Sequence, residues 1–302
     1  MLFSINVTKD VIGSNKKIQD YIKKLNLFSD FLKEHPREPN HDIRNYFEYN
    51  KQTQSYRGII ALSTRGCQYA KKTGPCLICG HPASSIWDEN IDGPITLNLF
   101  LKSISELDKL AVEDVFIYSS GSFFDSDELS DSTREIIIEE LAARPYIKTV
   151  TFESLPQFIS EEKIKYLVQK LYEKNISIGI GLDCHSFEFR SLLTRKIIKD
   201  ESFYKAVTIC KNNSVRTIAY IVHKPPFLDE EEASWESSEA IHKAVMMGFD
   251  EISIEPIALQ PGTFQEMLFN EGLYSLPTIW TIYSSILNWT KIYKEEIDRV
   301  RI

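Results

Sequence analysis

Three of the five cysteines in this sequence lie within one short stretch, at Cys67, Cys76 and Cys79, with the spacing C-x8-C-x2-C. They follow a β-branched, apolar run at 59–62 that is typical of a buried strand. Thiolates at such spacing bind soft metal centres, because one short loop can wrap several sulfurs around one ion or cluster. The spacing therefore indicates metal chemistry, with more than one candidate centre.

Two centres and one alternative without metal fit these residues. Three thiolates on a [4Fe–4S] cubane leave one iron without a protein ligand, and S-adenosylmethionine can chelate that iron through its amino and carboxylate groups. Structural zinc needs four ligands, and His81 could complete a Cys3His set with the same three cysteines. Three unligated thiols are the remaining alternative, so the rest of the chain has to decide.

Length and composition place the chain among ordinary globular proteins. It has 302 residues and is 43% hydrophobic, and its five cysteines are too few and too unevenly placed for a secreted disulfide framework. No signal-peptide pattern follows Met1, and no apolar run approaches the length of about 18 residues that suggests a membrane span. We expect a soluble, cytoplasmic protein with no membrane partner.

The net charge of −8 helps to decide which class of substrate or partner the protein binds. Affinity for nucleic acid comes largely from neutralising phosphates with Lys and Arg, so an acidic chain has no general attraction for tRNA. The charge favours a small-molecule or peptide substrate and disfavours, without excluding, tRNA.

The elements that would position the cysteines alternate along the chain. After an N-terminal helical pattern that starts at Ser14 or Asn15, six short apolar strands are predicted at Ile59–Ser63, Asp114–Tyr118, Thr149–Glu153, Ser177–Leu182, Arg216–Val222 and Glu251–Glu255. Helical patterns lie between them at Thr96–Leu110, Asp131–Ala143, Ser160–Lys174, Phe187–Asn212 and Glu230–Gly248. Such βα units predict an α/β fold with a parallel sheet covered by helices.

Six units suit an incompletely closed, TIM-like (β/α)6 barrel better than a full eightfold one. The expected organisation is a helical N-terminal lead-in at 1–56, a partial barrel at 57–270 and a C-terminal helical extension at 271–302. Chemistry in such a sheet occurs at the C-terminal ends of the strands. The cysteine loop follows the first parallel strand, which favours a catalytic cluster.

Other strand ends carry candidate binding groups. Ser119, Ser120, Gly121 and Ser122 follow the second strand, and such small residues let backbone approach a ligand closely. Glu153 and Asp183 end the third and fourth strands and could accept hydrogen bonds from a ribose or an ammonium. Candidates for orienting a substrate are His81, Lys224 after the fifth strand and Gln260 after the sixth.

Several segments, in one order, carry a family resemblance. They read STRGCQYAKKTGPCLICGH around the cysteines, then SSGSFFD, ESLPQFI, IGLD, KPPFLDEEEA and LQPGTFQEMLFNEGLYSLPTIW. From about Arg57 to Trp280 the chain resembles radical S-adenosylmethionine (SAM) enzymes of the branch containing the Elongator catalytic subunit, and within it the archaeal enzyme that completes archaeosine in tRNA. The resemblance covers roughly three-quarters of the chain.

The resemblance implies a set of roles. Cys67, Cys76 and Cys79 would bind the [4Fe–4S] cluster, and Ile78 would pack by the adenine of SAM. The Ser119–Ser122 segment would lie near the methionyl amino group, with Glu153 and Asp183 facing the cofactor. An electron donor such as flavodoxin or ferredoxin would reduce the cluster, and the resulting 5′-deoxyadenosyl radical would abstract hydrogen from the substrate.

The sequence also departs from the family pattern. His81-Pro82 replaces a tyrosine-containing continuation after the last cysteine, and Leu155 replaces an arginine. Three functions therefore stay open: a radical enzyme for a small molecule or peptide, which the acidity favours; a radical tRNA-modifying enzyme; and a zinc-stabilised binding protein.

Overall fold

A computed structural model describes residues 44–50, 55–80, 93–261, 263–293 and 300–301. All of them belong to one compact unit, Glu38–Ile302. The N-terminal helix predicted from Ser14 or Asn15, and the candidate site residue His81, lie outside the described residues.

The fold is built on a curved, mostly parallel sheet whose strands follow one another in chain order. Its six central strands are β2 Ser55–Ala61, β3 Asp114–Tyr118, β4 Thr149–Glu153, β5 Asn175–Asp183, β6 Arg216–His223 and β7 Glu251–Pro256. Each pairs in parallel with the next. The predicted partial (β/α)6 barrel is therefore confirmed, with each predicted strand present within a few residues.

Two further strands were not predicted. β1 Arg44–Asn50 pairs antiparallel with β2, from Arg44↔Ala61 to Asn50↔Ser55, and β8 Val300–Arg301 pairs in parallel with β7. The prediction of a helical lead-in is wrong for β1. Because Phe47 and Tyr49 of β1 and Tyr56 of β2 are all more than a third exposed, the aromatic residues of this segment do not mark a buried strand face.

Helices cover the sheet between the parallel strands. They are α1 Gln68–Thr73, α2 Gly93–Leu110, α3 Asp131–Ala142, α4 Glu161–Lys170, α5 Asp200–Asn212, α6 Glu230–Met247, α7 Phe264–Asn270 and α8 Ile279–Tyr293. None of the helices among these described residues is long and apolar enough to cross a membrane. The predicted domain boundaries at 56 and 270 stay predictions.

The segment between β5 and β6 differs from the single helix predicted over Phe187–Asn212. Short helical turns at Phe187–Phe189 and Arg190–Thr194 are separated from α5 by an irregular stretch. The fully buried Arg190 stabilises this break, since its guanidinium donates to the carbonyl oxygen of Ile198 at 2.8 Å and to Asp200 at 2.6 Å. Arg195, with φ 61°, ends the turn in the left-handed conformation.

Candidate functional site

A cavity of about 480 Å³ lies at the C-terminal ends of the strands. Its volume falls in the range of about 300–1,000 Å³ that is usual for small-molecule sites. The predicted site residues that line it are Cys67, Cys76, Ile78, Cys79, Ser119, Ser120, Gly121, Glu153, Asp183 and Gln260. The fold thus brings the cysteine loop and the ends of β3, β4 and β5 to one space.

The long gap in the cysteine spacing contains a helix. Cys67 caps α1, and its sulfur accepts the amide of Ala70 at 3.4 Å. Gly74, at φ 88°, ends α1 and lets the chain turn back toward Cys76 and Cys79. The eight-residue interval is therefore a compact turn of helix that keeps all three sulfurs on the cavity.

None of the three cysteines forms a disulfide. Burial raises the pKa of the Cys67 thiol to about 11 and that of Cys76 to about 12. Thiolates are the species that bind metal, so a cationic centre would have to offset the cost of burying their charge. This donor set suits an iron–sulfur cluster.

Gly121 lets the loop after β3 approach Cys67 closely. A Cβ atom on Gly121 would lie 2.6 Å from the Cys67 sulfur and 2.8 Å from a Glu128 carboxylate oxygen, so no larger residue fits there without a shift. Among the described residues no three His, Cys, Asp or Glu side chains are gathered as a site for a single metal ion.

Glu128, which sequence reasoning missed, joins two of the cavity loops. Its buried carboxylate accepts the amides of Gly121 at 3.0 Å and Ser122 at 2.8 Å, and the hydroxyl of Thr64 at 2.8 Å. Thr64 precedes the cysteines and Gly121 follows β3. The glutamate therefore fixes the cysteine loop relative to the Ser/Gly loop.

Asp183 lies at an irregular end of β5. The register shifts between Gly181 and Asp183, and Asp183 has φ 62°, a left-handed conformation that is uncommon for a residue other than glycine. The Lys196 ammonium contacts both Asp183 carboxylate oxygens, at 2.7 and 2.8 Å, and the Thr194 hydroxyl donates to Oδ2 at 3.2 Å. The Asp183 charge raises the pKa of Lys196 to about 12 in spite of burial.

Glu153 lines the cavity with no described side chain hydrogen-bonded to its carboxylate. Burial, with the nearby charge of Glu255, raises its pKa to about 8. Tyr118, Tyr220 and Glu255 also line this part of the cavity. Because Glu255 ends β7 and the two tyrosines come from β3 and β6, acidic and phenolic groups meet from four strands.

Three predicted residues have other surroundings. Ser122 does not line the cavity, because its hydroxyl contacts that of Ser154 at 2.7 Å and accepts the Leu155 amide at 3.1 Å. The prediction that Lys224 orients a substrate in the cavity is corrected. Its buried ammonium pairs with Glu230 and donates to Ser275 at 3.0 Å, away from the cavity. Gln260 does line the cavity, but its Oε1 accepts the Gly80 amide at 2.6 Å, which ties down the end of the cysteine loop.

Sequence reasoning also missed residues that line the cavity. Lys196 gave no sequence signal, since it lies in the irregular stretch that the predicted helix had covered. Tyr118 and Tyr220 are inward-facing residues near strand ends, and strand periodicity would have found them. Glu255 is the last residue of the sixth predicted strand, and no site role was predicted for it.

A curved, mostly parallel partial barrel with three cysteines after its first parallel strand is the architecture that the resemblance implies. The solved structure of archaeal Elp3 from Methanocaldococcus infernus, with an N-terminal deletion, has a TM-score of 0.51 at 15% identity and covers 81% of this chain and 55% of that chain. This likeness shows the fold.

Sequence comparison gives particular relatives. An uncharacterised protein of Methanocaldococcus jannaschii is 32% identical over 229 residues, which are 74% of this chain and 61% of the relative. Archaeosine synthase subunit beta of Methanosarcina acetivorans is 27% identical over 226 residues, 74% of this chain and 64% of the relative. The chain thus spans less than two thirds of either relative, and no family model matches it. The predicted resemblance to the Elongator and archaeosine branch is confirmed.

Proposed function

We propose that this protein is a radical SAM enzyme that binds a [4Fe–4S] cluster through Cys67, Cys76 and Cys79. The observation that carries the proposal is the meeting of all three sulfurs with the ends of β3, β4 and β5 around one cavity. When bound, the cluster and SAM would supply a 5′-deoxyadenosyl radical for hydrogen abstraction from a substrate.

In this proposal, different residues of the cavity contact different parts of SAM. Ile78 offers an apolar surface to the adenine, and Ser119–Gly121 offer backbone amides and hydroxyls to the methionyl end. Asp183 Oδ1 keeps a lone pair for a ribose hydroxyl, since only Lys196 is hydrogen-bonded to it among the described residues. Lys196, rather than Lys224, is the cation that lines the cavity, where it pairs with Asp183.

Anaerobic reconstitution tests the proposal. We expect about four irons and four sulfides per chain, visible charge-transfer absorption, and 5′-deoxyadenosine after addition of SAM and a reductant. Cys67→Ala, Cys76→Ala or Cys79→Ala should abolish the cluster, whereas Cys210→Ala, a buried cysteine on α5, should retain it. One zinc per chain with no uptake of iron would refute the proposal and favour the zinc-stabilised protein.

For the substrate, we propose a small molecule or a peptide side chain, with flavodoxin or ferredoxin as the electron donor. The net charge of −8 and the acidic lining of the cavity support this choice, because carboxylates repel phosphates. A wild-type protein that forms more 5′-deoxyadenosine on addition of a cell metabolite extract freed of RNA would support it.

A second candidate is the modification of tRNA. The relative named archaeosine synthase subunit beta favours it, although this chain spans only part of that protein. Filter binding of bulk archaeal tRNA over a salt series separates the two candidates. Tight binding that weakens steeply with salt would favour tRNA, since phosphate contacts release counterions.

A further inference from the structure

We propose that Glu153 and Glu255, with the phenols of Tyr118 and Tyr220, form a wall that binds a cationic nitrogen group of the substrate, a protonated amine or a guanidinium-like cation. We call these four residues the acidic wall. The inference rests on the proposed function, because it names the substrate chemistry of the same cavity.

The members of the acidic wall come together across the sheet because Gly179 has no side chain and leaves room for Tyr220. Glu153 at the end of β4 pairs with Gly179 on β5. A Cβ atom on Gly179 would lie 2.7 Å from the Tyr220 hydroxyl oxygen, so Tyr220 lies directly over the glycine. The phenol of a β6 residue therefore crosses β5 and extends toward Glu153.

The charges that line the cavity do not balance. The described lining contains three carboxylates, on Glu153, Asp183 and Glu255, and one cationic side chain, Lys196. Lys196 is already bound by both oxygens of Asp183. The remaining two carboxyl groups belong to the acidic wall, where Glu153 is half-buried and Glu255 is exposed, and the hydroxyl of Ser253 donates to Glu255 at 2.7 Å.

A second observation points to a polar ligand in this cavity, which either the methionyl end of SAM or the substrate would supply. Ser119 is 7% exposed and lines the same cavity, and its hydroxyl has no hydrogen-bond partner among the described residues. Buried hydroxyl groups without partners are rare in folded proteins. Ser119 directly follows Tyr118 of the acidic wall, so a bound group that makes hydrogen bonds would satisfy it.

The chemistry of the acidic wall selects the ligand class. Ammonium and guanidinium groups are the donors that carboxylates bind most strongly, and aromatic rings attract the same cations. Burial and the Glu255 charge raise the pKa of Glu153 to about 8, so a cation bound at the acidic wall would favour the ionised form of Glu153 and release its proton. A phosphate or carboxylate on the substrate would instead be repelled.

The test uses the reconstituted protein saturated with SAM and a matched pair of probes, butylguanidinium and butylurea, at constant ionic strength. The two probes share a shape and differ in charge. Calorimetric titration should show butylguanidinium binding at least about tenfold more tightly than butylurea. Glu255→Gln and Glu153→Gln should each remove about tenfold of that affinity, and Glu135→Gln, on the exposed face of α3, should remove none.

Several outcomes would overturn the inference. These are equal affinity for the two probes, no binding of either, or wild-type affinity for butylguanidinium in Glu255→Gln. A loss of SAM affinity in Glu255→Gln by the same factor would also overturn it, since the acidic wall would then bind the cofactor's own cation. A wild-type preparation that takes up neither iron nor SAM would instead contradict the proposed function.

Discussion

The pair formed by Asp183 and Lys196 gives the sharpest prediction about stability. Their side chains are 5% and 12% exposed, and two contacts of 2.7 and 2.8 Å join them. Breaking a buried ion pair by removing one partner costs about 3–5 kcal/mol, because a charge is left buried without its counterion. We expect Asp183→Asn to lower the free energy of unfolding by about 3 kcal/mol, the lower end of that range, since the cavity admits water.

The same pair predicts how the variants combine. Lys196→Met and Asp183→Asn should cost similar amounts, because each leaves the partner one other contact: the Thr194 hydroxyl lies 3.2 Å from Asp183, and the Gly181 carbonyl oxygen lies 3.3 Å from Lys196. The double variant removes both charges, so its loss should fall short of the sum of the single losses by about 1–3 kcal/mol.

Urea unfolding of the protein without cofactors, at pH 7, measures all three changes. The control is Lys170→Met, which breaks a pair with Glu139 whose side chains are 37% and 55% exposed and should cost at most about 1 kcal/mol. Additive single losses would refute the reasoning, and so would a cost for Asp183→Asn no larger than that of the control.

Three further predictions concern the cavity loops. Glu128→Ala should lower the free energy of unfolding by about 1–3 kcal/mol, since it leaves the buried Ser122 amide without an acceptor and also removes the acceptor of the partly buried Gly121 amide; urea unfolding checks this, and an unchanged free energy of unfolding contradicts it. Gly121→Ala should reduce iron bound per chain after reconstitution, because the new Cβ would meet the Cys67 sulfur at 2.6 Å; wild-type iron content would show that the loop adapts. Glu153 has a pKa raised from 4.5 to about 8, so folded protein holds a proton that unfolded protein releases. This contribution to stability is complete below pH 4.5 and is lost as the pH rises through 8, and Glu153→Gln should flatten that slope in urea unfolding measured without cofactors.

The sequence could predict the sheet because parallel strands are buried on both faces. Strands such as Val150–Phe152 and Ile176–Ile180 are almost continuously apolar or buried, and a run of this kind can be recognised in the sequence without knowing which strands lie beside it. The order of the strands then follows from the right-handed crossovers. The position of the cysteine loop at the C-terminal ends of the strands needed no more than this.

The partners of individual charges could not be predicted in the same way. Lys224 and Lys196 are both lysines near strand ends, and their sequence surroundings do not show which one reaches the cavity. Lys224, with φ 58°, has its ammonium drawn to Glu230 on α6, which lies six residues later in the chain. An ion pair such as Lys224–Glu230 depends on the directions of the side chains in three dimensions, and the spacing of residues in the sequence does not give those directions.

The position of Lys196 depends on a residue that does not line the cavity. Arg190 is fully buried and donates to the carbonyl oxygens of Leu182, Cys184 and Ile198, groups that a continuous helix or strand would have satisfied internally. The guanidinium of Arg190 therefore donates hydrogen bonds to carbonyl groups both at the irregular end of β5 and in the stretch before α5. Asp183, in its left-handed conformation, lies at the irregular end of β5. Lys196 lies in the stretch before α5, where the chain turns back toward Asp183. Arg190 therefore joins the end of β5, which carries Asp183, to the irregular stretch that carries Lys196, and hydrogen bonds of this kind leave no trace in the hydrophobic pattern.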